Sequence, residues 1–325
     1  MPSPIDAVIT WVDGDDPVLR AKQRQYFKVN ENDGVTSTTR FADCNEIFYC
    51  ISAILKNAPF IARIFIVTDN QVPPVIAQIA QRFGRGAADK ITVVDHREIF
   101  AGYTQYLPTF NSTSIEGMLH RIPNLSERYV YFNDDFIIAN PLTEDDFFIA
   151  NRPVLRGRWR STRGLAFKAN QRERMLAGKW HIKGKLFSYK EYQYFAAKLF
   201  GDVTRYFWHD HTPHPFYRPD LDSYFADNDD VLRDNVKFRL RDPSQFDTMS
   251  LANALDIAKG GATLRSPSLT YFKATDKRNP ARYMARKQAE LAKNQSDFLC
   301  VQDVNRLPDD VRQAMTAWLD DIVFG

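Results

Sequence analysis

The sequence predicts an α/β protein: an open, mostly parallel Rossmann-like sheet with an inserted basic region of helical or irregular structure. Three observations carry this expectation. Short β-branched segments are apolar on both alternating faces, as strands covered on both sides must be. Segments of helical periodicity separate them, and each ends in an acidic or amide turn.

The first strand is expected over residues 5–12 and is stopped by Asp13-Gly14-Asp15-Asp16-Pro17. A helix over 43–57 follows, with Ile47, Cys50, Ile51, Ile54 and Leu55 at helical spacing. The second strand, 64–68, runs into Asp69-Asn70, and a helix over Val75–Phe83 comes next. A third strand, 91–94, ends at Asp95-His96, and a helix is expected over 114–121. The fourth, 129–132, ends at Asn133-Asp134-Asp135. In open parallel sheets the ligand sits beyond the carboxyl ends of the strands, so the four acidic ends face one crevice. One Asp after a strand is ordinarily a loop cap; four such ends are not explained that way. Near the carboxyl terminus a helix over 309–322 aligns Val311, Ala314, Met315, Trp318, Leu319 and Ile322 for docking on the core.

Composition sets the outer bounds. Apolar residues at 44% and charged residues at 26% of 325 exclude wholesale disorder. With 43 basic and 40 acidic residues the net charge is +3, too balanced for the whole molecule to bind polyanions, and no nucleic-acid partner is expected. Cys44, Cys50 and Cys300 match no metal spacing and form no disulfide framework, which points to a reducing compartment. Without a charged leader or an apolar run of about 18 residues, the expected location is cytoplasmic, with at most peripheral contact at the anionic inner membrane face.

Composition also divides the chain into a nucleotide-sugar-binding core (1–150), an inserted basic acceptor- or membrane-facing region (151–205), and completion of the catalytic core with the last helix (206–325). From 152 to 190, twelve Lys or Arg residues face one acid, Glu173, with Trp159, Phe167, Trp180, Phe187 and Tyr189 interleaved. Such a stretch is either a solvated face or a surface for nucleic acid, anionic headgroups or an acidic glycan. Arg156, Arg158, Arg160 and Trp159 are its expected acceptor contacts, with Trp180 a second ring on which a sugar could stack.

Asp134 and Asp135, with the amide oxygen of Asn133, offer oxygen ligands to a hard cation, Mg2+ or alternatively Mn2+, and leave room for phosphate oxygens. His211 and His214 flank Thr212-Pro213 in a proline-stiffened loop, where a neutral imidazole could take a proton from an attacking hydroxyl. The same spacing would also suit zinc, though no cysteine pair accompanies it. Arg239 and Arg241 alternate on an apparent short strand, so only one could reach a given crevice to neutralise a phosphoryl group. The Gly-x-Ser-x-Gly elbow and the Gly-rich phosphate loop are both missing.

Taken together, these stretches resemble the Stealth family of sugar-1-phosphate transferases, which includes bacterial capsular polysaccharide phosphotransferases and the lysosomal-enzyme N-acetylglucosamine-1-phosphotransferase. The segment from Ile5 to Pro17 resembles the first conserved region of the family. Arg40-Phe41 through Asn45-Glu46, Ile115-Glu116 and Leu119-His120-Arg121 to Phe132-Asn133-Asp134-Asp135 resembles the second. His211-Thr212-Pro213-His214 with Phe238-Arg239 resembles the third, and Cys300-Val301-Gln302-Asp303 the fourth.

The resemblance implies transfer of a sugar-1-phosphate, typically N-acetylhexosamine-1-phosphate, from a UDP-sugar donor to a hydroxyl of a polysaccharide or glycolipid, with release of UMP. It implies His211 as base and Arg239 as a phosphate ligand. Asp134, Asp135 and Asp303 would serve the metal and diphosphate. Asp13, Asn45 and Glu46 would line the donor site with Arg241 and Gln302, and His214 would face the acceptor. Two departures bear on the donor contacts: Glu46-Ile47-Phe48-Tyr49-Cys50 stands where the family has Glu-Leu-Arg-Tyr-Ser, and Gln302-Asp303 where it has Asn-Asp. A metal-dependent glycosyltransferase releasing UDP and a non-catalytic carbohydrate- or membrane-binding module are the competing functions.

Overall fold

The computed structural model describes residues 3–29, 36, 41–165, 189–201, 204–274 and 279–325. In chain order the strands are β1 (Ile5–Thr10), β2 (Ile61–Thr68), β3 (Ile91–Asp95), β4 (Arg128–Asn133), β5 (Phe136–Ile138), β6 (Phe148–Ile149), β7 (Arg152–Ser161), β8 (Arg205–His209), β9 (His214–Tyr217), β10 (Thr263–Arg265), β11 (Leu269–Lys273) and β12 (Phe298–Gln302). The main sheet has the order β3-β2-β1-β4-β9. Its first four strands are parallel and β9 closes the β4 edge antiparallel. This is the open, mostly parallel α/β sheet that the strand pattern requires.

Alternation along each strand feeds two cores. Ala7, Ile9, Ile64, Ile66, Val130 and Phe132 face one side, where Ile47, Cys50, Ile51 and Ile54 of the helix Glu46–Asn57 cover them. The last helix, Asp309–Phe324, docks in the same layer through Val311, Met315, Trp318, Leu319 and Val323. Val8, Phe65, Val67, Tyr129 and Tyr131 face the other side, against Met118, Leu119, Leu221, Phe225 and Leu251. Burying one such apolar side chain contributes about 1.5–3 kcal/mol, which is why strands covered on both faces are apolar throughout. The exception is Asp6, fully buried at the start of β1. Arg63 binds it through two nitrogens, at 3.1 and 2.8 Å, and the Ser126 amide donates to it at 2.9 Å. A buried carboxylate needs that many partners.

A second sheet carries the fourth motif to the site. β12 pairs parallel with β11 and antiparallel with β5, with Cys300 opposite Phe136. The Val301 amide donates to the Asp135 carbonyl at 3.1 Å. Only two residues separate the end of β4 from the start of β5, so Asp134 and Asp135 form the corner between the sheets.

Four expectations are corrected. The helix over 114–121 is two pieces, Ser112–Glu116 and a single turn Leu119–Arg121. Phe238-Arg239-Leu240-Arg241 is not a strand but an irregular bend. The basic region is not helical or irregular at its start: residues 152–161 form the long strand β7, paired with β6, β8 and β10. Ser161 lies opposite Arg205, so 162–204 is an excursion between two paired strands. Phe167, Trp180 and Phe187 fall outside the described residues. Finally, His214 belongs to β9, and only the residues before it form the loop. Among the described residues no helix is long and apolar enough to cross a membrane.

Candidate active site

Three elements bring carboxylates to the corner at Asp134 and Asp135. The first is the start of the helix Glu46–Asn57. There Asp43 accepts from the Asn45 amide at 2.7 Å and from the Trp11 indole at 2.9 Å. Asn45 takes a left-handed conformation (φ 68°), and Glu46 accepts from the Cys44 amide at 2.5 Å. The second is the corner itself. The third is the end of β12, where Asp303 is also left-handed (φ 62°) and the Cys300 thiol lies 3.7 Å from Asp135 Oδ2.

These groups repel one another. Burial, with Asp135, Glu46 and Asp43 beside it, holds the Asp134 carboxyl well above its usual range. Asp135 is likewise raised, first by burial, with Asp303 adding to it. Burial, reinforced by Asp43 and Asp135, pushes Glu46 to about 7. Oδ1 of Asp135 is buried with no partner. An unpartnered buried oxygen within mutually repelling carboxylates fits a hard divalent cation. No three His, Cys, Asp or Glu side chains of the described residues form a complete metal-binding group. Asp134 and Asp135 would therefore supply part of a shell that diphosphate oxygens and water complete, as Mg2+ commonly accepts.

His211 lies between two tyrosines. Its ring is stacked on Tyr189 (5.1 Å between centroids, 13° between planes) and on Tyr271 (5.4 Å, 13°). Burial, aided by His209, lowers its pKa to about 4, so the ring is neutral near pH 7 and can accept a proton. His214 is buried, edge-on to His209 at 4.3 Å; burial holds it well below its usual range. That position is in the interior of the protein and not on an exposed surface.

The two arginines diverge. Arg239 lies over the Tyr26 ring at 5.0 Å and donates to the Leu107 carbonyl at 3.3 Å, while its buried Nε has no partner. Arg241 donates to Ser112 Oγ at 2.7 Å and faces Glu116. Asp13 shapes its own loop, accepting from the Asp15 amide at 2.8 Å, while Gln71 donates to its carbonyl at 2.9 Å.

Sequence reasoning gave no role to Glu116, Lys273, Tyr271 or Tyr189. Burial, with Asp247 nearby, pushes Glu116 to about 7, and the Tyr131 hydroxyl lies 3.4 Å from it and 2.5 Å from Asn133 Oδ1. Lys273 ends β11 and lies 3.6 Å from Asp303. Tyr271 donates to Gln302 Oε1 at 2.6 Å. The one available signal was Ile115-Glu116 within the second family region; β11 was not recognised as a strand.

Of the expected acceptor contacts, Arg156 is a correction. It points into the protein, with a side chain 3% exposed, 5.0 Å from the Phe298 ring centroid, and it donates to the Asp146 carbonyl at 2.6 Å. Arg158, Trp159 and Arg160 lie farther along β7, where it pairs with β8. Trp159 is 41% exposed, with Arg205 over it at 4.4 Å; Arg160 lies 4.9 Å from the Trp208 ring. Arg158 reaches Asp210 at 3.3 Å, next to His211, so this part of the basic strand borders the site.

Parts of the chain are similar to known proteins. Stealth protein conserved region 1 matches residues 3–26, and conserved region 2 matches residues 40–154. A capsular polysaccharide phosphotransferase of Actinobacillus suis is 46% identical over 152 residues, which cover 46% of this chain and 39% of that protein. The chain therefore spans well under half the length of the capsular relatives it matches. The receptor polysaccharide phosphotransferase WefC of Streptococcus gordonii is 28% identical over 334 residues, 96% of this chain and 93% of that protein. Among solved structures, galactosyltransferase LgtC in complex with donor and acceptor sugar analogs aligns with a TM-score of 0.44 at 12% identity, covering 98% of this chain and 95% of that one. Two conserved regions of Stealth proteins are thus matched in order along the chain, and the second of them contains the residues of the acidic corner.

Proposed function

We propose that the protein is a phosphotransferase of capsular or cell-surface polysaccharide synthesis, moving N-acetylhexosamine-1-phosphate from a UDP-sugar to a hydroxyl of a polysaccharide or glycolipid. The observation that carries this reading is the acidic corner at Asp134 and Asp135, at the carboxyl ends of parallel strands, joined by Glu46, Asp43 and Asp303. The phosphotransferase names of its relatives support the same class.

His211 accepts the proton of the acceptor hydroxyl on a ring nitrogen. The acceptor oxygen then bonds to the sugar-bearing phosphorus, and the bond from that phosphorus to the bridging oxygen breaks, its electron pair leaving with UMP. Asp134 and Asp135, with Asp303, would hold Mg2+ or Mn2+, which when bound supplies charge neutralisation for the diphosphate. Arg239, Arg241 and Lys273 supply fixed positive charge for phosphoryl oxygens, and Asp13, Asn45, Glu46 and Gln302 shape the donor side. Arg158, Trp159 and Arg160 form the acceptor side, in a cytoplasmic protein that meets the inner membrane face peripherally.

Incubation with a panel of UDP-sugars, Mg2+ and glycan acceptors, followed by separation of the nucleotides, tests the reading. Release of UMP in step with acceptor consumption is expected. UDP as product would make the protein a glycosyltransferase, and no turnover with any pair would favour a binding module.

A further inference from the structure

The loop carrying His211 is short and irregular, yet its ring is held in one plane. Among the described residues no hydrogen bond reaches either ring nitrogen of His211; stacking alone fixes the side chain. Each stacking ring is anchored at its far end. The Tyr189 hydroxyl lies 3.1 Å from His209 Nδ1, and His209 Nε2 lies 2.8 Å from Asp247 Oδ2 and 3.1 Å from Ser250 Oγ. With Asp247 as acceptor, His209 Nε2 carries the proton between them. Gln193 brackets the backbone of His209, donating to its carbonyl at 2.9 Å and accepting from its amide at 3.1 Å. On the opposite side, Tyr271 is fixed by its bond to Gln302.

We propose that Tyr189 and Tyr271 are positioning residues for His211, a two-ring clamp that sets the plane of the imidazole and leaves its nitrogen-bearing edge open to the acceptor hydroxyl. This rests on His211 being the base. The clamp explains why the imidazole needs no hydrogen-bonded orienting partner. Two parallel rings stop it from tilting, and the Asp247–His209 pair and Gln302 stop the tyrosines from rotating away. A base misplaced by about 1 Å loses on the order of 10²-fold in rate, so the clamp acts on kcat and not on donor binding.

The test compares His211→Ala with alanine and phenylalanine variants of both tyrosines, each checked by circular dichroism and thermal melting. Tyr189→Ala and Tyr271→Ala are expected to lower kcat by roughly 10- to 100-fold with donor KM changed less than about threefold. The phenylalanine variants keep the stack and should restore kcat to within several-fold of wild type. In His211→Ala, added imidazole should recover part of the lost turnover by entering the slot between the rings, and adding Tyr271→Ala should abolish that rescue. Full turnover in both alanine variants, with His211→Ala inactive, overturns the clamp alone. Phenylalanine variants as impaired as alanine ones would also overturn it, since the hydroxyl network and not the stack would then carry the effect. Near-normal turnover in His211→Ala removes the base and the clamp together.

Discussion

The guanidinium of Arg156 is bonded to the carbonyl of Asp146 and lies against Phe298, so one arginine of the most basic stretch of the sequence is turned away from solvent. Arg156→Glu would place a second acid beside Asp146, whose remaining partner is Arg265, and against Phe147 and Phe298. Loss of about 3–5 kcal/mol of stability is expected in urea melts. Arg158→Glu and Arg160→Glu, on the outer half of β7, should change stability by less than about 1 kcal/mol. They should instead raise acceptor KM most strongly at low salt. Equal stability losses at all three positions would contradict this division of the strand.

Asp256, on the helix Thr248–Ala258, should be more useful to the fold without its charge. Burial, with Asp220 beside it, raises its carboxyl to about 7. The folded state therefore keeps a proton that the unfolded chain gives up near pH 4, and the stability tied to that proton is lost as pH rises from about 4 to 7. Asp220 would still bind Arg152 at 2.7 Å and Lys259 at 2.6 Å after Asp256→Asn. The variant should gain roughly 1–3 kcal/mol at pH 8 and almost nothing at pH 4. A loss of stability at pH 8 would mean that its 3.7 Å contact with Arg152 outweighs the desolvation.

The main sheet was legible because strands buried on both faces leave a continuous apolar pattern, as in Ile64 to Thr68. The acidic corner was legible for the same reason: Asn133-Asp134-Asp135 interrupts such a run. The second sheet was not. β5 and β11 are short, and their burial depends on β12, a partner more than 25 residues distant from β11 and 160 from β5, roughly, which no local period records. Arg156 shares its face of β7 with Arg158 and Arg160, and its burial was hidden because alternation along a strand does not report how far along that face the rest of the protein covers it. Tyr189 and Tyr271 were missed because stacking has no spacing rule along the chain.

Gly14 joins the first motif to the second. Its amide donates to the Phe41 carbonyl at 2.7 Å, and a Cβ there would come within 2.2 Å of that oxygen. Gly14→Ala must push the 41–46 segment away from β1, shifting Asp43 and Glu46. A rise in donor KM of at least about tenfold with a largely preserved circular dichroism spectrum is expected. Unchanged donor kinetics would separate this contact from the site.

Asp134→Asn and Asp135→Asn remove one charge each from the acidic corner. Mg2+ should raise the melting temperature of the wild type and leave both variants unmoved, because each has lost a ligand oxygen's charge. Without Mg2+ both variants should melt at or above the wild-type temperature, since repulsion among Asp134, Asp135 and Glu46 is relieved. Equal Mg2+ shifts in all three proteins would move the cation elsewhere.

In the proposed reaction phosphorus travels with the sugar. The direct measurement uses UDP-N-acetylhexosamine carrying 32P at the sugar-bearing phosphate, with Mg2+ and a glycan acceptor. Label is expected in the acceptor as a phosphodiester, with unlabelled UMP in solution, in equal amounts. Label retained in released UDP, with a phosphorus-free sugar on the acceptor, would contradict it.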